Sequence, residues 1–242
     1  MTLTINIPQM RAEIASHIAN DQIISNRNGG FGYWSAKKQR GCFIGCLTHS
    51  ADPRKAEERF GVPVAIMLIA ENIFEALPID AGRSFFGSFG DAVAVDGKDL
   101  SRVHWAWLAE ELRSLPVTTS DVQAVINPVI AGMDLLAAGK DWPEKAAADA
   151  AGAAYAAAAA AADADSAAHA AAHAAAYAAV SAARSAADAA AYAARAADVA
   201  AYAAYAAADA ADAAYAADAA ARQRQAANLL RLIAEAPIGG AA

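Results

Sequence analysis

The sequence predicts an all-α protein: a mixed, mostly helical head over residues 1–140 with at most one short β-hairpin, then closely packed alanine-rich helices over 141–242. Three observations carry this reading. Between Ala146 and Arg222, 52 of 77 residues are alanine and none is proline. Alanine loses no side-chain entropy on entering a helix, so a run of this length is helical. The bulky residues within it are also in phase, since at 100° per residue every non-alanine residue from Ser166 to Asp209 falls inside an arc of about 160°. Finally, the head contains apolar segments of helical length bounded by proline and glycine, the most apolar lying between Pro63 and Pro78.

In chain order, PQMRAEIASHIA (8–19) reads as a first amphipathic helix with Pro8 near its start. A glycine- and asparagine-rich turn over 26–32 follows. Aromatic and β-tending residues then flank the charged KKQR, which predicts a short hairpin around 33–41. Asp52-Pro53 opens a helix to Phe60, with Asp52 as N-cap and Gly61 as terminator. VAIMLIAENIFEALP, started by Pro63 and stopped by Pro78, should be the core helix of the head, with Glu71, Asn72 and Glu75 forming its wet stripe. The glycine-rich stretch after Pro78 is expected to be loop, with a short helix near 83–86. A helix over 101–115 and another from Thr119 or Ser120 to about Ala138, kinked at Pro128, complete the head.

In the alanine-rich part, spacings of eleven residues (Ser166, Tyr177, Asp188, Val199) approach 3.67 per turn, which keeps a stripe nearly straight. As one helix, 166–209 would be about 66 Å long. The phase slips after Asp209, predicting a bend or break near 210–214. The opposite face is bare methyl and should let a neighbouring helix, or a second copy of the chain in a homodimer, approach closely. The tyrosines are expected mainly to fill gaps between helices, and Arg184 to pair with Asp188 for a few tenths of a kcal/mol, about the worth of an exposed ion pair. A terminal helix over 222–236, carrying Leu229, Leu230, Leu232 and Ile233, should dock back on the head.

With a net charge of −7, the chain lacks the clustered cations that nucleic-acid phosphates require. The opening MTLTINIPQM shows no basic stretch before an apolar run, so no secretory signal is expected. Aspartates and arginines recur too often in the alanine run for a membrane span. A cytoplasmic protein is the expectation.

GCFIGCLTH, residues 41–49, is the sharpest motif. As metal ligands, Cys42, Cys46 and His49 would offer two thiolates and an imidazole to zinc, with His104 or His17 as the fourth group. As a catalytic set, Cys42 or Cys46 would be the nucleophile and His49 or His104 the base. Gly41 and Gly45 could instead present amides to a phosphate, helped by Lys37, Lys38, Arg40 and Arg54. The simpler reading makes the cysteines small buried residues beside glycines that permit close packing. Glu71 and Glu75 could serve as an acid–base or metal-binding pair. His169 and His173, at i and i+4 on one face, have a zinc-compatible spacing, but the glutamate that a metalloprotease carries between them is alanine here.

The combination of GYW, GCFIGC, His49, FGVPVA, IFEALP and the closing QAANLLRLI resembles a family of uncharacterised bacterial and phage proteins, across nearly the whole chain. The alanine, tyrosine and aspartate repeats are also similar in composition to immunity proteins of toxin systems. These resemblances imply a setting in phage biology or bacterial conflict, of immunity or anti-defence type, and no assigned chemistry. No acid, base and nucleophile occur at a recognised spacing. The sequence therefore favours a non-enzymatic protein, with no required cofactor, that binds a protein partner or a phosphate-bearing small molecule. The alternative is a small metal- or thiol-dependent enzyme using Cys42, Cys46 and His49.

Overall fold

The computed structural model describes residues 7–25, 33–93, 97–116, 119–161, 166–182, 186–207 and 211–238. Among these it has eleven helices and one two-stranded antiparallel sheet, the expected all-α fold with a single short hairpin. The turn expected over 26–32 lies outside the described residues. The chain divides into two compact units, Met1–Ser101 with Ala226–Ala242, and Arg102–Gln225.

The first unit begins with α1 (Ile7–Ala19) and the hairpin β1 (Trp34–Ser35) and β2 (Arg40–Gly41), paired Trp34 to Gly41 and Ser35 to Arg40. Then come α2 (Phe43–Thr48), α3 (Arg54–Phe60), α4 (Val64–Ala76) and α5 (Ile79–Val93). The punctuation works as its residues dictate. Asp52 Oδ1 accepts the Arg54 amide at 3.0 Å, Gly61 ends α3 in the left-handed conformation at φ 68°, and α4 lies between Pro63 and Pro78. Phe43 is the centre of the core, with the rings of Phe74, Phe85, Phe86 and Phe89 at 4.9–6.1 Å. Each buried ring contributes on the order of 2–3 kcal/mol.

The stretch after Pro78 corrects the expectation of a loop, because α5 runs for 15 residues. Its glycines are contact points. A Cβ on Gly82 would meet the Phe74 ring at 3.1 Å, and one on Gly90 would meet Ile14 at 2.8 Å. Burial of three phenylalanines outweighs the helix penalty of about 1 kcal/mol per glycine. Lys98 ties the unit together, donating to the carbonyls of Ala92, Ile233 and Ala234 at 2.9, 3.0 and 2.6 Å. Its ammonium thus meets the C-terminal carbonyls of two helices, where a positive charge is favoured.

The second unit contains α6 (Val103–Arg113), α7 (Ser120–Ala137), α8 (Glu144–Ala161), α9 (Ser166–Ala182), α10 (Ala186–Ala206) and the first part of α11 (Ala211–Glu235). The Thr119 hydroxyl caps α7 through the Val122 amide, and Pro128 sits inside that helix. The alanine stripe is not one long helix. α9 and α10 are 17 and 21 residues long, are separated by three residues, and pack on one another. A link that short forces helices of about 25 and 31 Å to run antiparallel. Tyr177 and Tyr192 therefore meet across the hairpin, with ring centroids 6.1 Å apart. α10 ends at Ala206 and α11 runs on from Ala211 through most of the expected 210–214 interval; residues 208–210 lie outside what the structure describes. Residues 183–185 and the Arg184–Asp188 pair lie outside what the structure describes.

α9 shows how the unit is held. Nine of its alanines are buried, under α7, α8 and α10. The bulky residues of the stripe face outward: His173 and Tyr177 are half-buried, and Tyr155, Tyr202 and Tyr215 are exposed. This reverses the expectation that most tyrosines fill gaps inside the bundle, because helices meeting through methyl groups leave no gap for a ring.

Candidate functional site

The GCFIGC segment is a packing device. Gly41 and Gly45 sit beneath the Tyr33 carbonyl, where an added Cβ would lie 2.4 and 1.7 Å from that oxygen. The absence of two side chains lets the Tyr33–Trp34 backbone rest on α2, and the Cys42 amide donates to the Tyr33 carbonyl at 3.1 Å. Both cysteines are fully buried and free. Burial, with the Glu71 carboxylate adding to it, holds the Cys42 thiol far above the usual range. Burial likewise pushes Cys46 up to about 12. Burial therefore favours the protonated thiol at both positions, the opposite of the electropositive, accessible setting that activates a cysteine.

Glu71 corrects the reading of α4. It is not on a wet stripe; it is 0% exposed. Its Oε2 accepts the Ile44 amide at 2.8 Å, so a carboxylate from α4 caps the first turn of α2, where the N-cap position, Cys42, supplies no side-chain bond. Glu75, next on the same face, accepts the Ser25 hydroxyl at 2.7 Å. Cys42, Glu71 and Glu75 present ligand atoms within 4.8 Å of one another, the one group of three donors of this kind among the described residues. The expected set of Cys42, Cys46 and His49 does not converge in this way. The cysteines point into the core from α2, whereas His49 is its C-cap residue, left-handed at φ 49° and exposed.

His49 instead meets His17. Their Nε2 atoms are 3.4 Å apart, and the Trp34 ring lies 4.4 Å from the His49 ring and 5.6 Å from that of His17. Burial and the neighbouring His17 lower the pKa of His49. His104, the other proposed partner, belongs to the second unit, where it is buried on α6 and lowered to about 4 by burial alone.

The basic residues do not converge on the glycines. Lys37 and Lys38 are exposed on the hairpin turn, Arg40 is half-buried on β2, and Arg54 pairs with Asp52 at 2.9 Å. The amides expected to cradle an anion are occupied: Gly41 donates to the Gln22 carbonyl at 3.0 Å, Cys42 to Tyr33, and Ile44 to the Glu71 carboxylate. The Glu71 carboxyl group already occupies the place a phosphate would need.

The second unit holds the more open site. Asp198, Val199, Tyr202, Tyr205, Tyr215, Asp218 and Arg222 line a cleft of about 590 Å³. Tyr205 is its hub, stacked on Tyr202 at 5.9 Å and edge-on to Tyr215 at 5.7 Å. Tyr202 and Tyr215 remain 52% and 67% exposed. Arg222 forms the floor with 9% side-chain exposure, its guanidinium 2.6 Å from Asp198 and 3.6 Å from Asp218, and Asp198 is 60% exposed. Sequence reading noted these tyrosines but not the cleft. The signal was the loss of phase after Asp209, which turns Tyr215 and Arg222 from α11 toward Tyr202 and Tyr205 on α10.

No family model matches this chain, and no curated protein or solved structure is similar to it.

Proposed function

We propose that the protein is a non-enzymatic interaction protein, and that it holds a basic side chain of a protein partner in the cleft of Tyr202, Tyr205 and Tyr215. The observation that carries this is the exposed aromatic cluster itself, flanked by carboxylates and floored by a buried arginine. Three tyrosine rings cluster at one open cleft, tyrosine and arginine dominate binding hot spots, and ring faces beside carboxylates attract lysine and arginine heads. The resemblance of the head motifs to phage and bacterial proteins, and of the repeats to immunity proteins, suggests the setting: an immunity or anti-defence role in which the partner is a basic protein surface.

A phosphate-bearing ligand at Lys37, Lys38, Arg40, Gly41, Gly45 and Arg54 has less support, because the amides it would use are already bonded and one meets Glu71. A homodimer through the alanine face likewise has less surface to use, since α9 is covered by helices of its own chain. The thiol-enzyme reading would need Cys42 or Cys46 ionised, against their burial.

The test is fluorescence polarisation with a labelled lysine- and arginine-rich peptide and its glutamate-substituted counterpart. The basic peptide binds, and a Tyr202→Ala/Tyr215→Ala variant of unchanged net charge weakens binding about 10-fold or more, the scale of a hot-spot loss. Equal binding by the double variant would remove the cleft from the account.

A further inference from the structure

We propose that His17 and His49 form a binding site for a divalent transition-metal ion of the zinc class, held by their two Nε2 atoms. The Nε2–Nε2 separation is 3.4 Å. Two nitrogens bound tetrahedrally to zinc at about 2.05 Å stand about 3.3 Å apart, so the pair already has the spacing of one tetrahedral edge. It is long for a direct N–H···N hydrogen bond, whose preferred length is close to 3 Å.

The site is built to hold that spacing. His17, in the last turn of α1, is 6% exposed, and its Nδ1–H donates to Gln22 Oε1 at 2.8 Å. That bond fixes the tautomer with a bare lone pair on Nε2, the way metal-bound imidazoles are oriented by an outer partner. His49 is placed by the left-handed C-cap of α2, and the Trp34 ring lies against both imidazoles. Its exposure gives an ion a way in.

Glu13 lies one helical turn before His17. Its Oε1 meets Arg59 at 2.6 Å, and its Oε2 is buried with no hydrogen-bond partner among the described residues. It does not lie close enough to both imidazoles to join the coordination sphere. Water completes the sphere. Imidazole nitrogen suits zinc, copper and nickel, and excludes magnesium and calcium, which take oxygen.

The experiment is calorimetric titration of ZnCl₂ into the untagged full chain. It is repeated for His49→Ala, which removes an exposed side chain, for Gln22→Ala, and for His169→Ala/His173→Ala, which removes the i, i+4 pair on α9. Titration with cobalt(II) under the same conditions supplies a spectrum. One zinc equivalent that survives in His169→Ala/His173→Ala, is lost in His49→Ala and weakens about 10-fold in Gln22→Ala is expected, with cobalt bands lacking thiolate charge transfer. No zinc binding by the wild type, binding unaffected by His49→Ala, loss that follows His169 and His173, or a thiolate band would each overturn the proposal.

Discussion

The two units solve the same packing problem with opposite residues. In the first, large side chains go inward: four phenylalanine rings converge around Phe43, and backbone reaches backbone where Gly41 and Gly45 admit the Tyr33 carbonyl. In the alanine-rich helices of the second, small side chains go inward: the buried surface of α9 is almost wholly methyl and Tyr155, Tyr202 and Tyr215 stay exposed, while the buried Trp107 lies on α6. A core of large rings consumes the aromatic residues that could recognise a partner. A core of alanine leaves them on the surface, which is why the tyrosine cleft lies on the alanine-rich helices.

The same substitution should have opposite signs in the two units. Gly45→Ala places a Cβ 1.7 Å from a backbone oxygen that cannot rotate away, and the expected cost is about 3 kcal/mol or more. Gly152→Ala, in α8 with nothing within 4 Å, should stabilise by about 0.5–1 kcal/mol, the propensity difference in an exposed helix. Urea unfolding of both variants measures this. A mild effect at Gly45 would break the comparison.

Acid should act on the second unit. His104 is buried and its pKa falls from 6.5 to about 4 through burial. The unfolded chain therefore binds the proton more tightly than the folded one. The stability associated with neutral His104 is complete above about pH 6.5 and is lost as pH falls toward 4, by about 3 kcal/mol in all. His173 shifts in the same direction, through burial and then its neighbour His169. Hydrogen exchange in α6 should accelerate between pH 6.5 and 4.5, and His104→Leu should flatten that response. An identical pH profile in His104→Leu would show that the imidazole does not take up the proton.

Local punctuation was the legible part of this fold. Asp52, Gly61, Pro63, Pro78 and Thr119 end or begin helices for reasons that lie within four residues of each, and sequence alone reveals them. Features that depend on a distant neighbour were not legible. The glycines of α5 read as a loop because Phe74 and Ile14, the groups they approach, are remote in sequence. Glu71 read as solvent-facing because the helix terminus it caps belongs to α2, 27 residues earlier. The sequence between α9 and α10 carries neither proline nor glycine to mark the end of a helix, so the packing of one helix on the other was not legible. In the candidate sites, the pairing of His49 with His17 was within reach, but its separation from the cysteines required the C-cap geometry.

Thiol reactivity of the native protein tests most directly the claim that GCFIGC is architecture while recognition lies on the tyrosine cleft. With Ellman's reagent at pH 8, Cys42 and Cys46 should stay unmodified in the folded chain and both react once it is unfolded in guanidinium chloride. Rapid modification of either thiol in the native state would contradict this account and return the head motif to chemistry.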